Sequence, residues 1–420
     1  MTSRDREGAG VRITRSLTST FNLEQMTQSS CNESVATFSK ELLMRHSHSS
    51  ITPGSIHEAA RDALKNSLGF QDYKQSVSVN QLLDLLLFMA ASCSSLFATA
   101  QRFFTFSHQT ASQAVHDNLP GLEQLRDRLV QALFHVALFS RSDRRRAWML
   151  AIDTNLVPFY GKPNPHVVGG QKKQGTKWFF GYATAVLLHK GRRYMVGLCP
   201  LKKGFKPHEM VRTLLDQIAG KGLKIKGVTL DSAFDSGDTI HLLQERKLAY
   251  AIPLRRKGHG SNARNRCFEG KHKSVRWTEW KTETTRIVVK TRVLLWKGRA
   301  KTMAFAFHGW SGDRAKNVHE QAMQSRQLYR RRFGIETSYR QKNQAQAFTT
   351  SSDPVYRLLL EGVAYILRQV WVVLTQALSR VKGAPKTWIA LSFQRMIDWL
   401  VTDLAAMYQE NCTIPLTSTS

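Results

Sequence analysis

Two short apolar segments, each followed at once by an aspartate, constrain the fold of this chain more than any other feature. The first, Ala147–Ile152, leads into Asp153, and the second, Lys226–Leu230, leads into Asp231. A short apolar run of this kind is typical of a strand that is buried on both faces of a sheet. The sequence therefore predicts two buried strands that each end in a carboxylate.

The segments between and after these strands alternate between strand and helix patterns. Three more strands and two amphipathic helices are predicted, at Lys177–His189, Arg193–Leu201, Leu248–Pro253, Pro207–Gly220 and Gly237–Lys247. Three strands, a helix, a strand, a helix and a strand is the order of a ribonuclease H-like α/β core with a mixed sheet. In such a core the first and fourth strands are neighbours, so Asp153 and Asp231 are expected to converge.

This predicted catalytic core spans 144–254 and 302–378, and other regions flank it. Residues 1–75 are polar and rich in Ser and Thr, which predicts a loosely ordered arm with at most one short helix. Residues 76–143 carry apolar side chains at helical spacing and are predicted to form a helical N-terminal domain. Its short helices allow two interpretations, a helix-turn-helix-like unit that binds DNA or a bundle that only supports the core. Residues 379–420 are predicted to form a C-terminal helical region and a tail.

The charge balance indicates a polyanionic partner. The 61 Lys and Arg residues exceed the 31 Asp and Glu residues by 30, and a surface this basic repels itself unless a polyanion such as nucleic acid neutralises it. The five cysteines are scattered without a CxxC pair, which argues against a disulfide framework or a cysteine zinc site. The longest uncharged stretch, Leu85–Ala100, is shorter than the roughly 20 residues of a membrane span. We therefore expect an intracellular protein with no membrane segment.

The positive charge is concentrated between the core segments. Residues 255–301 contain 15 Lys and Arg against three Glu, a net charge of +12, and their second half alternates as strands do. This pattern predicts a basic, β-rich insertion. Its three tryptophans, Trp277, Trp280 and Trp296, suit a surface that follows a DNA backbone and stacks on unpaired bases, but each of them taken alone fits the insertion's own small core better.

A long helix predicted at Asn317–Gln344 supplies a third acidic residue. Tyr329, Arg332 and Glu336 share one face of a continuous helix. Three converging carboxylates (Asp153, Asp231 and Glu336) require cations, and oxygen-only ligands favour Mg²⁺ or Mn²⁺. Two such ions would suit an in-line displacement at a phosphodiester.

The segment around this glutamate closely resembles a known signature. Tyr329–Asn343 is similar to the Tyr–Arg–Glu–Lys signature of DDE transposases from bacterial and archaeal insertion sequences, in the large group named after insertion sequence four. Asp153 in Ala-Ile-Asp-Thr and Asp231 in Thr-Leu-Asp-Ser look like the first and second aspartates of that family. The β-rich insertion before the glutamate also matches, and the resemblance covers roughly Trp148–Val373.

The chain departs from this signature at its lysine. In the family the lysine lies seven residues after the glutamate, where this chain has Asn343. Lys342 is one residue early and points about 120° away from Glu336 on a helix, whereas Arg340 is only about 40° away. Arg340 is therefore the predicted phosphate contact, with Lys342 as the alternative.

The resemblance implies a cut-and-paste transposase that binds terminal inverted repeats and target DNA and works as a homodimer on DNA. It also implies that Asp153, Asp231 and Glu336 hold two Mg²⁺ ions, that Tyr329 and Arg332 position phosphate, and that the enzyme works in the prokaryotic cytoplasm beside the nucleoid. Two other functions remain open at this stage. One is a host nuclease built on the same core, and the other is a non-catalytic DNA-binding protein descended from a transposase.

Overall fold

The computed structural model describes residues 51–189, 192–258, 260, 262, 264–299, 301–309, 317–378 and 391–408. Most of the predicted arm and much of the predicted C-terminal region, residues 1–50, 379–390 and 409–420, therefore lie outside the described residues. The described part combines a large mixed sheet with helices packed against it, which confirms the predicted α/β class.

Six helices precede the sheet within the described part of the chain: α1 (Pro53–Leu68), α2 (Val79–Ala91), α3 (Leu96–Phe103), α4 (His108–Asn118), α5 (Leu122–Ala137) and the short α6 (Arg141–Arg145). The first of them differs from the predicted arm at 1–75. Thr52 and Ser55 form a reciprocal capping box that starts α1, and the helix buries Ile56 and Leu64 completely. Residues 53–68 thus belong to the helical domain.

The sheet has nine strands: β1 (Ala147–Phe159), β2 (Val167–Lys173), β3 (Thr176–His189), β4 (Arg192–Pro200), β5 (Lys224–Leu230), β6 (Ala249–Pro253), β7 (Val275–Lys281), β8 (Val288–Lys297) and β9 (Thr302–His308). Their order is β2–β3–β1–β5–β6–β9–β8–β7, and β4 pairs with β3 beside β2. β1 is antiparallel to β3 and parallel to β5, and β5 is parallel to β6. The strands that precede Asp153 and Asp231 are therefore neighbours.

Strand β2 was not predicted from the sequence. It contains Gly169 and Gly170 and is mostly exposed, so it lacks the apolar pattern by which a strand is recognised. It pairs with the N-terminal half of β3, at Val167–Gly169, where β4 does not reach.

The basic segment 255–301 extends this sheet and does not form a separate layer. Its strands β7 and β8 pair with each other, and β8 pairs with β9, which pairs with β6. Leu294 on β8, Phe305 and Phe307 on β9 and Tyr329 form a second, smaller apolar cluster at this end of the sheet. The insertion is thus fixed to the core by both hydrogen bonds and packing.

The remaining helices are α7 (Pro207–Ala219), α8 (Gly237–Glu245), α9 (Val318–Arg332), α10 (Gly334–Lys342), α11 (Pro354–Leu378) and α12 (Phe393–Tyr408). The prediction of one continuous helix at Asn317–Gln344 is therefore wrong, because α9 ends at Arg332 and α10 begins at Gly334. Glycine weakens a helix, and here the guanidinium of Arg193 approaches the junction and donates a 3.0 Å hydrogen bond to the carbonyl oxygen of Arg331.

Helix α11 is the central helix of the molecule. By length and composition alone, Pro354–Gln376 would suffice to cross a membrane, but 89% of its most apolar stretch is buried inside the protein. It packs against α5, α1 and α2 and against β4. The helix is therefore part of the packed core.

A buried polar cluster attaches the C-terminal helix α12 to the first two helices. His57 on α1 contacts Asp84 through Nε2 at 2.7 Å and Asp403 through Nδ1 at 3.0 Å. Tyr408 donates a 2.6 Å hydrogen bond to Asp84. The described part of the C-terminal region therefore packs on the N-terminal helices.

Candidate active site

The two predicted aspartates lie where the parallel pairing of β1 and β5 ends. Ile152 and Leu230 form the last pair of this ladder, and Asp153 and Asp231 follow them directly. Strand β1 continues beyond Asp153 to Phe159, so the prediction that Asp153 closes its strand is corrected: it lies mid-strand, opposite Thr184 of β3. Because both residues directly follow this last pair of two adjacent strands, the two carboxylates are brought together.

A buried arginine joins the two carboxylates. Arg332, at the end of α9, donates to Asp153 Oδ2 at 2.6 Å through Nη1 and to Asp231 Oδ1 at 3.4 Å through Nη2. Its side chain is 4% exposed, and the Tyr329 hydroxyl lies 3.4 Å from Nη2. The predicted association of Tyr329 and Arg332 is present, but Arg332 faces the aspartates and is shielded from solvent.

The protonation of this cluster follows from its burial. The pKa of Asp153 is raised to about 6, mainly by burial. The charges of Asp231 and Glu336 also raise it, whereas Arg332 and the amide of Thr154 lower it. Burial also disfavours a charged Arg332, but Asp153, Tyr329 and Asp231 together outweigh this effect, and the pKa of the guanidinium is raised. Arg332 thus stays positively charged. The positive charge near Asp153 does not fully offset the effect of burial on its carboxyl group.

Glu336 lies in the first turn of α10 and is exposed to solvent. Its charge acts on Asp153, so it belongs to the same electrostatic site. Among the described residues, however, no three His, Cys, Asp or Glu side chains lie close enough together to hold one metal ion. The guanidinium of Arg332 bridges the two aspartates, and Glu336 is exposed to solvent. The predicted convergence of the three carboxylates is therefore incomplete.

The chemistry of these three residues nevertheless suits a divalent cation. They offer only carboxylate oxygens, which Mg²⁺ and Mn²⁺ prefer. The raised pKa of Asp153 means that added positive charge would be favourable there. The residues therefore fit such a cation, provided that Glu336 and Arg332 adjust.

The two candidates for the missing lysine lie in opposite environments. Arg340 is exposed on α10, one turn after Glu336. Lys342 is completely buried, and its Nζ donates to both carboxylate oxygens of Glu361 at 2.9 and 3.0 Å. The prediction of Lys342 as an alternative DNA contact is therefore wrong in this structure, because the side chain turns inward to form a salt bridge with α11.

Sequence reasoning missed the polar contacts that hold α10 and α11 against the sheet. Asn155, two residues after Asp153, donates to Glu361 at 2.8 Å. The Tyr339 hydroxyl bonds to Thr184, the cross-strand partner of Asp153, at 2.7 Å. The available signal was Glu361 itself, a lone acid in the apolar part of α11, since a buried carboxylate requires a cation.

The three tryptophans of the basic segment differ in accessibility. Trp277 on β7 is 60% exposed, and Arg292 lies over its ring. Trp280 packs partly against the main core beside Arg264, and Trp296 packs partly against the second cluster beneath Arg326. Trp277 is thus the most accessible of the three, whereas Trp280 and Trp296 contribute to packing.

Comparison with known proteins identifies a structural relative. No protein-family model and no curated protein matches the sequence. Among solved structures, the chain is similar to the piggyBac transposase in its synaptic complex with hairpin DNA, with a TM-score of 0.53 over 85% of this chain and 80% of that chain. This chain shares its fold with that protein. At 10% sequence identity, the likeness concerns the fold alone.

Proposed function

We propose that this chain is a DNA transposase that moves an insertion sequence by cutting and joining DNA strands at terminal inverted repeats. The observation that carries the proposal is the pair Asp153 and Asp231, which directly follow the last pair of the parallel β1–β5 ladder and are bridged by the arginine of a Tyr–Arg–Glu motif. The fold shared with a transposase supports it.

The strand arrangement favours a ribonuclease H-like core. Strands β4, β3 and β1 are antiparallel neighbours, and β5 and β6 continue the sheet in parallel with β1. This is the arrangement expected when the first and fourth strands of such a core are adjacent. Together with the motif around Glu336, it supports placing the chain among DDE transposases of the insertion-sequence-four-like group.

Asp153, Asp231 and Glu336 would hold two Mg²⁺ ions, for which Mn²⁺ would substitute. The ions would activate the attacking hydroxyl and stabilise the leaving 3′-oxygen. Tyr329 would orient Arg332, which would hold the side chains of the two aspartates in place. Arg340, exposed one turn beyond Glu336, would contact the phosphate backbone of the DNA.

The partner would be double-stranded DNA, both as transposon ends and as target, bound by a homodimer in the cytoplasm beside the nucleoid. The basic strands β7 and β8 extend from the sheet edge on the side of Asp231, and Arg255 at the start of this segment lies 4.0 Å from Asp231. Positive charge of this kind attracts duplex DNA without regard to sequence.

The test uses duplexes that carry the DNA bordering the gene on each side. Asp153→Asn and Glu336→Gln should each reduce strand cleavage in Mg²⁺ by roughly two orders of magnitude or more. Glu245→Gln, at an exposed carboxylate at the end of α8, is the matched control and should cleave as the parent does. Undiminished cleavage by Asp153→Asn would refute the proposal. Cleavage of unrelated duplexes at the same rate would indicate a nuclease, and binding without cleavage by the parent would indicate a non-catalytic protein.

A further inference from the structure

We propose that Tyr339 is a positioning residue that sets the affinity of the carboxylate site for a divalent cation, by fixing the helix of Glu336 against the strand of Asp153. The inference rests on the proposed function, since it concerns the cation-binding residues assigned there. It is carried by a hydrogen bond of 2.7 Å that joins the hydroxyl groups of Tyr339 and Thr184, both of which are buried.

The Thr184 end of this bond lies beside Asp153. Thr184 on β3 is the antiparallel cross-strand partner of Asp153 on β1. Cross-strand partners lie on the same face of a sheet with their Cβ atoms about 5 Å apart. Burial, and after it the charge of Asp153, raises the pKa of Tyr339 well above its usual value, so the hydroxyl stays protonated and can donate. The hydroxyl of Tyr339 therefore reaches the sheet next to the Asp153 carboxylate.

The Tyr339 end of the bond lies beside Glu336. Both residues are on α10, three positions apart, which places them about 60° from each other around the helix. Residues at this spacing are neighbours on a helix surface. Tyr339 is turned into the protein, whereas Glu336 is exposed. The bond therefore links the helix beside Glu336 to the sheet beside Asp153.

Helix α10 needs a directional contact of this kind. It has nine residues, and α9 ends before it, so neither its length nor a preceding helix holds it in place. Ile335 packs in the apolar core, but apolar packing is non-directional and leaves the rotation of a helix less well defined. Lys342 fixes the C-terminal end through Glu361. Tyr339 adds a directional contact three residues from Glu336.

The position of α10 decides whether Glu336 can share a cation with Asp153. Glu336 would reach the cation by turning its own side chain, while the helix stays where the bond of Tyr339 holds it. Residues that orient metal ligands in this indirect way typically change metal affinity by roughly 10- to 100-fold when they are replaced. Tyr339 would thus act on the affinity through Glu336, without contacting the cation.

The test is Mn²⁺ binding by the full chain without DNA, measured by electron paramagnetic resonance of free Mn²⁺. Tyr339→Phe keeps the ring and removes only the hydroxyl, and it should raise the Kd for Mn²⁺ by about tenfold. Glu336→Gln should raise the Kd as well. Because Tyr339 acts through Glu336, adding Tyr339→Phe to Glu336→Gln should raise the Kd no further.

Tyr250→Phe is the matched control. Tyr250 on β6 and Thr291 on β8 are completely buried and share a hydrogen bond of 2.9 Å between their hydroxyl groups. This substitution also removes the acceptor of Gln244, so it should lower the midpoint of urea unfolding at least as much as Tyr339→Phe does. It should nevertheless bind Mn²⁺ as the parent does, which separates positioning from stability.

The inference is overturned if the parent binds no Mn²⁺, if Tyr339→Phe binds it as the parent does, or if Tyr250→Phe weakens binding equally. It is also overturned if Tyr339→Phe has its full effect in the presence of Glu336→Gln. A parent that cleaves transposon-end duplexes while Tyr339→Phe leaves the Mn²⁺ affinity unchanged refutes this inference alone. A parent that cleaves no DNA but loses Mn²⁺ affinity through Tyr339→Phe rejects the transposase function and leaves the positioning role standing.

Discussion

Arg332 donates a 2.6 Å hydrogen bond to Asp153, and both side chains are almost completely buried. A salt bridge enclosed in this way keeps its cation inside the acidic site, beyond the reach of a DNA phosphate in this arrangement. Arg332 therefore offsets part of the negative charge of the two aspartates in the free protein. A divalent cation that binds there has to compete with it.

Replacing Arg332 with glutamine should increase the affinity for Mn²⁺ in the absence of DNA, by about tenfold or more. The reason is that the substitution removes a positive charge in direct contact with Asp153, where the Coulomb energy is several kcal/mol even at an effective dielectric constant of about 20. Electron paramagnetic resonance titration of free Mn²⁺ measures this directly. Arg331→Gln, at the exposed neighbouring residue, controls for net charge. Equal or weaker Mn²⁺ binding by Arg332→Gln would contradict the competition.

The carboxyl group of Asp153 should make stability depend on pH. Its pKa is raised from 3.8 to about 6 in the folded protein, so the folded state binds more protons than the unfolded state between about pH 4 and 6. The free energy of unfolding should therefore fall as pH rises through this window, by about 2 to 3 kcal/mol from this group. Urea unfolding of Asp153→Asn without divalent cations should lack that fall. If the stability of the parent and of Asp153→Asn changed with pH in the same way, this prediction would be wrong.

The buried strands of the core could be predicted because each is an uninterrupted apolar run. Their neighbouring placement follows from the order of strands and helices, and with it the meeting of Asp153 and Asp231. The exposed strand β2 could not be predicted, since it has no apolar pattern and depends on the free edge of β3.

The helix that carries Glu336 shows a second limit of sequence reasoning. Periodicity places Tyr329, Arg332 and Glu336 on one face only if the helix is continuous, and it is interrupted at Phe333. Next to this interruption the carbonyl oxygen of Arg331 accepts from Arg193, which lies 138 positions earlier in the chain. The inward direction of Lys342 likewise depends on Glu361 of another helix. Contacts between residues distant in sequence leave no local pattern.

The buried pair of Lys342 and Glu361 should be far more important for stability than a surface pair of the same residue types. Lys342→Met leaves the carboxylate of Glu361 buried without a cation and should lower the free energy of unfolding by about 3 to 5 kcal/mol. Lys290→Met breaks an exposed 2.8 Å pair with Glu279 and should cost less than about 1 kcal/mol. The double variant Lys342→Met/Glu361→Leu should recover most of the loss. Equal losses of stability for Lys342→Met and Lys290→Met in urea unfolding would refute this account.

Trp277 should contribute to DNA binding more than to folding. Because its ring is 60% exposed on β7, Trp277→Ala should change the free energy of unfolding by no more than about 0.5 kcal/mol. Stacking on an unpaired base is worth roughly 1 to 3 kcal/mol, so the variant should bind a duplex with unpaired terminal bases more weakly while its affinity for a blunt duplex changes little.

Trp296→Ala is the matched comparison, since that ring packs beneath Arg326 and against the second apolar cluster. It should lower stability by about 2 kcal/mol, through lost packing of a half-buried ring. Thermal unfolding and fluorescence anisotropy with the forked and blunt duplexes separate the two roles. Equal weakening of both duplexes by Trp277→Ala would show that the ring contacts only the backbone, and unchanged binding to both would remove Trp277 from the DNA-binding surface.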